Sequence, residues 1–574
     1  MGDHTWVGSR PLNLKSTGDQ LGPTWTVAIV RRLMWSAAPA WQATWPTSDR
    51  LASWTVVARR EALGTLRAVW PAYLLATGLI LIGITWSLPD GHYQLSSFQV
   101  DEDVAVWAVN QVSFPRFFPE WLSWGTALFY QVYLVKTLVT AGGLVAISDG
   151  TVLVLGRLVV LASALGTVTL VYYLGKTLFD AWTGRLAALI LAVLPGFVVN
   201  SHYFKTDVPM TCWAMATLLV ACLMLQRPRP GLAVLLGALA GYSTSVKYSA
   251  AILVAVGLVT LVVAFHRSGR PLPWLSYLVS AFIGFAVGAP YALLKPRLTL
   301  QAIQYVASIN SQGVPYAIAR PPAIFDYPLN VLPYSLTVPV LLATAAALVL
   351  VALKGGRKWL PIWLFVGLYT PILASDNWRL VRYTVPLLPV AVLFLAYGLR
   401  TAGRAPSVRW PVALAGGAVV AYAFVFSLSY VQVMAQIDPR TQADAWIEQN
   451  VPHGAPIPAE TGSPVNIPQL KLIGYEAQLN DFNIGELSAA ENPYLIMTDY
   501  PTQWYREAID YYPKERGFLG YVAAHYRPVA EFVNSQSLLG IDSRGSAHIP
   551  QDWLHPNPRI TILQRVEPAA QRVE

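Results

Sequence analysis

Between Val69 and Tyr430 the chain is a succession of apolar runs, most of them about 20 residues long, separated by short polar connections. A helix of that length crosses the ~30 Å hydrocarbon core of a bilayer and satisfies its own backbone N–H and C=O groups where no water can. The pattern predicts about eleven spans, at 68–88, 157–178, 184–202, 208–226, 231–247, 249–265, 273–294, 336–353, 359–375, 384–400 and 411–430. Composition points the same way. With 55% hydrophobic and 12% charged residues, against ~25% charged in an ordinary soluble domain, the chain has too little polar surface to face water all round. The expected fold is an all-α polytopic membrane domain over 68–430.

A net charge of +9 would raise nucleic acid as a partner in a soluble protein. Here the bases fall in short clusters between apolar runs, so the partner they indicate is the lipid bilayer and no nucleic acid is expected. Alternate connections carry Lys176, Arg185, Arg227, Arg229, Arg267, Arg270, Lys354, Arg357, Lys358, Arg400, Arg404 and Arg409, against the single acid Asp180. Short loops rich in Lys and Arg stay in the cytoplasm. Arg59, Arg60 and Arg67 precede the first span, which puts the amino terminus inside. An odd number of spans then puts the carboxyl terminus outside, in a multi-pass protein of the plasma (inner) membrane.

Residues 1–67 are polar to mildly amphipathic and contain eight Lys or Arg, with no apolar stretch followed by a small-residue cleavage site. They are expected to form a cytoplasmic tail, partly disordered, without a cleaved signal peptide. Cys212 and Cys222 lie ten positions apart in one expected span, so neither a disulfide framework nor a cysteine metal site is indicated. From about Val431 the composition changes to ten bases and seventeen acids. The helix-like stretch Thr441 to Asn450, the turn Val451-Pro452-His453-Gly454, the strand-like Tyr494 to Met497 and the aromatic stretch Trp504 to Tyr526 suggest a small α/β extracytoplasmic domain over 431–574. Large outer loops are expected at 89–156 and 295–335.

Of the ten acids between 68 and 430, nine fall on the outer side by this topology: Asp90, Asp101, Glu102, Asp103, Glu120, Asp149, Asp207, Asp326 and Asp376. Asp101-Glu102-Asp103, so dense in an acid-poor chain, suits a general base, a metal ligand or both; it equally suits a helix N-terminus, where acids complement the dipole. His202-Tyr203-Phe204-Lys205-Thr206-Asp207 places a second carboxylate on that side, in a position that also fits an ordinary helix cap. Ser375-Asp376-Asn377-Trp378-Arg379-Leu380-Val381-Arg382-Tyr383 puts two arginines in a short outer loop. A guanidinium offers phosphate a fork of paired donors, although it can also snorkel to headgroups. Lys247, in Ser245-Val246-Lys247-Tyr248, is a further cation beside the same face.

This order of motifs resembles the type C glycosyltransferase superfamily: an early outer-loop Asp-Glu, a Thr-Asp after the third span, a Lys-Tyr ending the fifth, and Arg382-Tyr383-Thr384-Val385-Pro386-Leu387-Leu388-Pro389 opening a late span. Within it the chain is most similar to the protein O-mannosyltransferase-like and aminoarabinose-transferase-like bacterial branch, which Gly156-Arg157 and Tyr172-Tyr173-Leu174-Gly175-Lys176 also fit. The resemblance covers approximately 68–430. It implies a hexosyl- or pentosyltransferase that takes a sugar from a polyprenyl-phosphate donor and passes it, with inversion, to a hydroxyl of a glycan, lipid or protein acceptor. Asp101 would be the base and Glu102 would position it or the acceptor. Asp207 would hold the acceptor or a metal, Arg382 with Arg379 would bind the donor phosphate, and Tyr383 and Lys247 would complete the substrate site. No cofactor is assigned and no residue is assigned to a metal, though the outer carboxylates could take a divalent ion.

The chain also departs from its relatives. Phe114-Pro115-Arg116-Phe117-Phe118-Pro119-Glu120 stands where aminoarabinose transferases carry Glu-Lys-Pro-Pro, and the Trp-Trp-Asp-Tyr-Gly motif of oligosaccharyltransferases is missing. A multi-span transporter or flippase of lipid-linked sugars is the alternative reading, and a scaffold with an outer binding domain is a third. The topology makes the first testable prediction. An epitope at the carboxyl terminus should be cleaved by protease added outside intact spheroplasts, and protection there would invert the assignment.

Overall fold

The computed structural model describes residues 48–88, 97–143, 148–354, 356–452, 457–459, 477–479, 482–489, 493–545 and 548–566. Most of the expected amino-terminal tail, Asp90 and the His453-Gly454 turn lie outside the described residues. The chain divides into a unit ending at Arg67 and a second from Ala68 to Glu574.

Helix α1 spans Ser48–Leu81. Then come α2 (Val100–Gln111), α3 (Ala127–Ala141), α4 (Asp149–Leu178), α5 (Ala181–Leu191), α6 (Pro195–Asn200), α7 (Asp207–Gln226), α8 (Pro230–Val246), α9 (Ile252–Ser268) and α10 (Trp274–Gly288). The membrane part is completed by α11 (Pro296–Gln312), α12 (Val338–Lys354), α13 (Leu360–Ala374), α14 (Leu388–Ala402) and α15 (Arg409–Val431).

The all-α membrane architecture holds, and the apolar helices vary in length. Among the described residues six helices are long and apolar enough to cross a bilayer, or seven if the bent pair Ala323–Leu336 and Val338–Leu353 is one broken span. The expected span 184–202 is two pieces, α5 and α6, because Pro195 supplies no N–H and disfavours helix at Leu194 before it. The expected span 273–294 stops at Gly288, ahead of Pro290.

The two expected outer loops also differ from open loops. Region 89–156 contains α2, α3 and the first turns of α4, whose start Ser148 caps by accepting from the Thr151 N–H. Region 295–335 opens with α11, an amphipathic helix. The helices α2, α3 and α11 have 12, 15 and 17 residues, each shorter than a span.

Close helix approach is made by small residues, as expected where lipid leaves no hydrophobic drive between helices. A Cβ on Gly241 of α8 would sit 1.8 Å from the Ala281 carbonyl oxygen of α10, so only glycine allows this contact.

After α15, helix α16 (Pro439–Asn450) leads into a sheet of β1 (Ile457–Ala459), β2 (Ala477–Leu479), β3 (Tyr494–Thr498), β4 (Tyr526–Phe532) and β7 (Ile560–Arg565), ordered β2-β1-β3-β7-β4. A separate hairpin is formed by β5 (Ser537–Leu538) and β6 (Ile541–Asp542). The pairs β1–β2 and β1–β3 are parallel, whereas β7 pairs antiparallel with β3 and β4. Side chains alternate across β3: Ile496 packs with Ala443 and Ile447 of α16, while Leu495 and Met497 pack with Phe518 and Val522 of α17 (Pro513–His525). This is the small α/β region expected from the sequence.

Candidate functional site

Helix α2 begins where the Gln99 side chain accepts from the Asp101 N–H at 2.8 Å, and its first turn holds Asp101, Glu102 and Asp103 against the positive end of the dipole. Successive residues on a helix point about 100° apart. Consequently Asp101 and Glu102 meet different surroundings.

Glu102 is fully buried and its carboxylate is saturated. It receives Arg157 Nε at 2.9 Å and Nη2 at 2.7 Å, Ser97 Oγ at 2.7 Å and the Phe204 N–H at 2.7 Å. Arg157, itself buried, spends Nη1 on the carbonyls of Ile84 and Trp86. Gly156 makes room for this arrangement, since a Cβ there would lie 2.3 Å from the Phe204 ring. Glu102 therefore does not face a cavity. It ties the start of α2, the body of α4 and the turn before α7 together, and so fixes the residue on either side of its own contacts: Asp101 next to it in sequence and Lys205 next to Phe204.

Asp101 makes ion pairs with Lys205 Nζ at 2.9 Å and with the Arg382 guanidinium. Burial favours its protonated form, but the Arg382 and Lys205 charges outweigh that and hold the carboxyl well below the usual carboxylate range. For Lys205, burial lowers the ammonium pKa and Asp101 opposes the shift. Arg382 sits in a tight 3₁₀ segment, Val381–Leu387, ahead of α14. The N–H groups of Val381 and Arg382 both donate to the Asp552 carboxylate at 2.9 Å, so a residue of the carboxyl-terminal domain sets the segment that carries this arginine.

These side chains line one cavity of about 420 Å³. Asp207, the first residue of α7, pairs with Lys247 at 2.5 Å. The Lys247 ammonium lies 5.0 Å from the centre of the Tyr383 ring, whose hydroxyl points to Asn310 of α11 at 3.4 Å. The charged lining is Asp101, Lys205, Asp207, Lys247, Asp376 and Arg382, three acids and three bases. Tyr248 Oη and Ser249 Oγ, also in the lining, have no hydrogen-bond partner among the described residues.

Five residues selected from the sequence thus meet here: Asp101, Asp207, Lys247, Arg382 and Tyr383. Two do not. Glu102 is enclosed as described, and Arg379 turns away: with φ +56° it is buried, its Nε lies 3.2 Å from Asp326 and its Nη1 donates to the Asp376 carbonyl. A guanidinium so engaged has no fork left for a phosphate, which corrects its expected pairing with Arg382. Sequence reasoning missed Lys205, Asp376 and Asp552. Lys205 carried a readable signal, a base two residues before Asp207 in a short outer turn; Asp552 carried none.

No three His, Cys, Asp or Glu side chains gather as a metal-binding group among the described residues. Each cavity carboxylate already faces a base or, for Asp376, the Tyr327 hydroxyl at 2.6 Å. That donor set does not match the several oxygen ligands a divalent ion takes.

Residues 140–291 match the family model described as dolichyl-phosphate-mannose-protein mannosyltransferase. The segment includes Arg157, Lys205, Asp207 and Lys247, and the match bears out the resemblance to type C glycosyltransferases. No curated relative matches the sequence. Among solved structures, the chain is similar to the archaeal oligosaccharyltransferase AglB from Archaeoglobus fulgidus in complex with an inhibitory peptide and a dolichol-phosphate, at 12% identity, 82% coverage of this chain, 73% of that chain and TM-score 0.48. It is also similar to ArnT from Cupriavidus metallidurans bound to undecaprenyl phosphate, at 12% identity, 86% and 97% coverage and TM-score 0.43. For the apo state of ArnT the values are 12%, 89%, 98% and 0.46.

Removing one partner of a buried pair leaves the other charge uncompensated, at a cost of about 3–5 kcal/mol. Glu102→Ala should therefore lower the thermal midpoint of the detergent-solubilised protein far more than Arg379→Lys. Equal midpoints for Glu102→Ala and wild type would remove the organising role given to this carboxylate.

Proposed function

We propose that this chain is a membrane glycosyltransferase that moves a sugar from a polyprenyl-phosphate donor to a hydroxyl acceptor at the outer face of the plasma membrane, inverting the anomeric centre. The observation that carries the reading is the meeting of Asp101, Lys205 and Arg382, from three distant segments, on the wall of one cavity. The glycosyltransferase family match over 140–291 supports it.

The donor phosphodiester carries one negative charge, and its departure from the sugar develops a second. Arg382 and Lys205, with Lys247 close by, are placed to favour that developing charge over the ground state, which lowers the barrier. The acceptor oxygen attacks the anomeric carbon as the carbon–phosphate oxygen bond breaks. The bonding pair leaves with the phosphate and the acceptor proton passes to Asp101. The unpartnered hydroxyls of Tyr248 and Ser249 suit contacts with sugar hydroxyls.

In the structure Asp101 is held by both cations, which makes it a weak base. A donor phosphate competes for the same cations and weakens that hold. Base strength is thereby tied to donor occupancy, so the carboxylate becomes competent when there is a sugar to transfer.

Asp101→Asn should reduce transfer of labelled sugar from polyprenyl phosphate by at least about 100-fold while the protein remains folded in membranes. Near-wild-type turnover by that variant would eliminate it as the base. Arg382→Ala should weaken donor binding by roughly tenfold to a hundredfold, the loss of one charge-assisted contact of about 1.5–3 kcal/mol. Unchanged donor affinity would leave Arg382 as a headgroup anchor. A carrier, by contrast, would move the lipid-linked sugar across vesicles without consuming it.

A further inference from the structure

The opposite end of α14 carries a second concave feature. Arg382 and Arg400 are eighteen residues apart along one continuous helical stretch, roughly 27 Å at 1.5 Å per residue, about the thickness of the hydrocarbon core. Around Arg400 a groove of about 1140 Å³ runs between α5, α14 and α15, with Leu75 of α1 at its side.

Its wall is hydrocarbon: Leu186, Leu189, Val193, Val420 and Phe424. Its mouth is basic: Arg400, Arg404 and Arg409. Arg400 is already placed, with its guanidinium over the Trp182 ring at 5.3 Å and Nε 3.5 Å from Asp180. Arg404 and Arg409 have no ion pair or side-chain hydrogen bond among the described residues. From Arg409 to Phe424 the groove descends about 22 Å along α15, deeper than the ~15 Å of one leaflet's hydrocarbon. Two unpaired guanidinium groups at the rim of an apolar trough complement one kind of molecule, a phosphate head attached to long acyl chains.

We propose that this groove is a binding site for an anionic glycerophospholipid of the leaflet opposite the cavity. The phosphate sits between Arg404 and Arg409, and the acyl chains lie along α5 and α15. The indole of Trp410, 73% exposed on α15, stands at the headgroup level beside it. The site is independent of the reaction assigned to the outer cavity and requires only that the chain span a bilayer.

Native mass spectrometry of the full chain, titrated with phosphatidylglycerol or phosphatidylcholine, tests it. The wild type should retain one phosphatidylglycerol at about tenfold lower concentration than phosphatidylcholine, as two bases near an anionic head imply. Arg404→Gln with Arg409→Gln should abolish that preference, and Arg404→Lys with Arg409→Lys should keep most of it. Gly417→Leu fills the trough, since a Cβ at Gly417 meets nothing within 4 Å, and should reduce retention of both lipids. Equal retention of the two lipids by wild type, or an undiminished preference in the double Gln variant, would overturn the proposal. So would a dimer that the Gln substitutions disperse, or a polyprenyl phosphate that displaces phosphatidylglycerol at equal concentration.

Discussion

A carboxylate buried away from water is tolerated only when its lone pairs are filled by donors, and Glu102 fills them from three separate parts of the chain. Arg157 brings α4, Phe204 brings the turn before α7, and Ser97 brings the segment ahead of α2. The arginine in turn donates to the carbonyls of Ile84 and Trp86, which lie beyond the end of α1. Because a half-satisfied pair costs more than none, the segments are held in one arrangement. Asp101 and Lys205 are the immediate neighbours of the atoms so fixed, and their contact is a consequence of this pairing.

From that contact follows the electrostatic character of the cavity. Six charges of both signs balance formally, and every acid has a partner. Such a lining could exchange partners with an anion at less cost than creating a new charge in a place of low dielectric. A phosphate would meet cations that are already desolvated and already oriented. On the proposed reading the carboxylates would then lose part of their hold on those cations, which would couple binding and proton affinity through shared partners.

The carboxyl-terminal domain is part of this arrangement. Asp552 accepts two N–H groups at the start of the segment bearing Arg382, and Trp553 packs on Tyr430 at 4.2 Å between ring centres while its carbonyl accepts the Tyr430 hydroxyl. Arg320, between α11 and α12, meets Glu507 through paired hydrogen bonds of 2.8 Å. The same arginine and Arg379 converge on Asp326. Arg379 thus serves to join the loop before α14 to the segment after α11, which is why it is absent from the cavity.

Periodicity and charge alone determined that the chain is a helical membrane protein with a small carboxyl-terminal α/β region, because apolar length and base-rich connections are local properties of the sequence. They also picked out Asp101, Asp207, Lys247 and Arg382, since charged side chains in an apolar, acid-poor context are conspicuous; Tyr383 came only with the family resemblance of the Arg382-Tyr383 motif. Tertiary structure alone decided which acid of the Asp101-Glu102 pair faces the cavity, that Arg379 turns inward, and that Lys205 and Asp552 belong to the site. Neighbours in sequence differ by a helical rotation of about 100°, and partners such as Arg382 and Asp101 are 281 positions apart. Neither fact leaves a mark on a single sequence. Two span boundaries escaped the sequence for a related reason: hydropathy averages over a window, whereas Pro195 and Pro290 stop a helix at one residue.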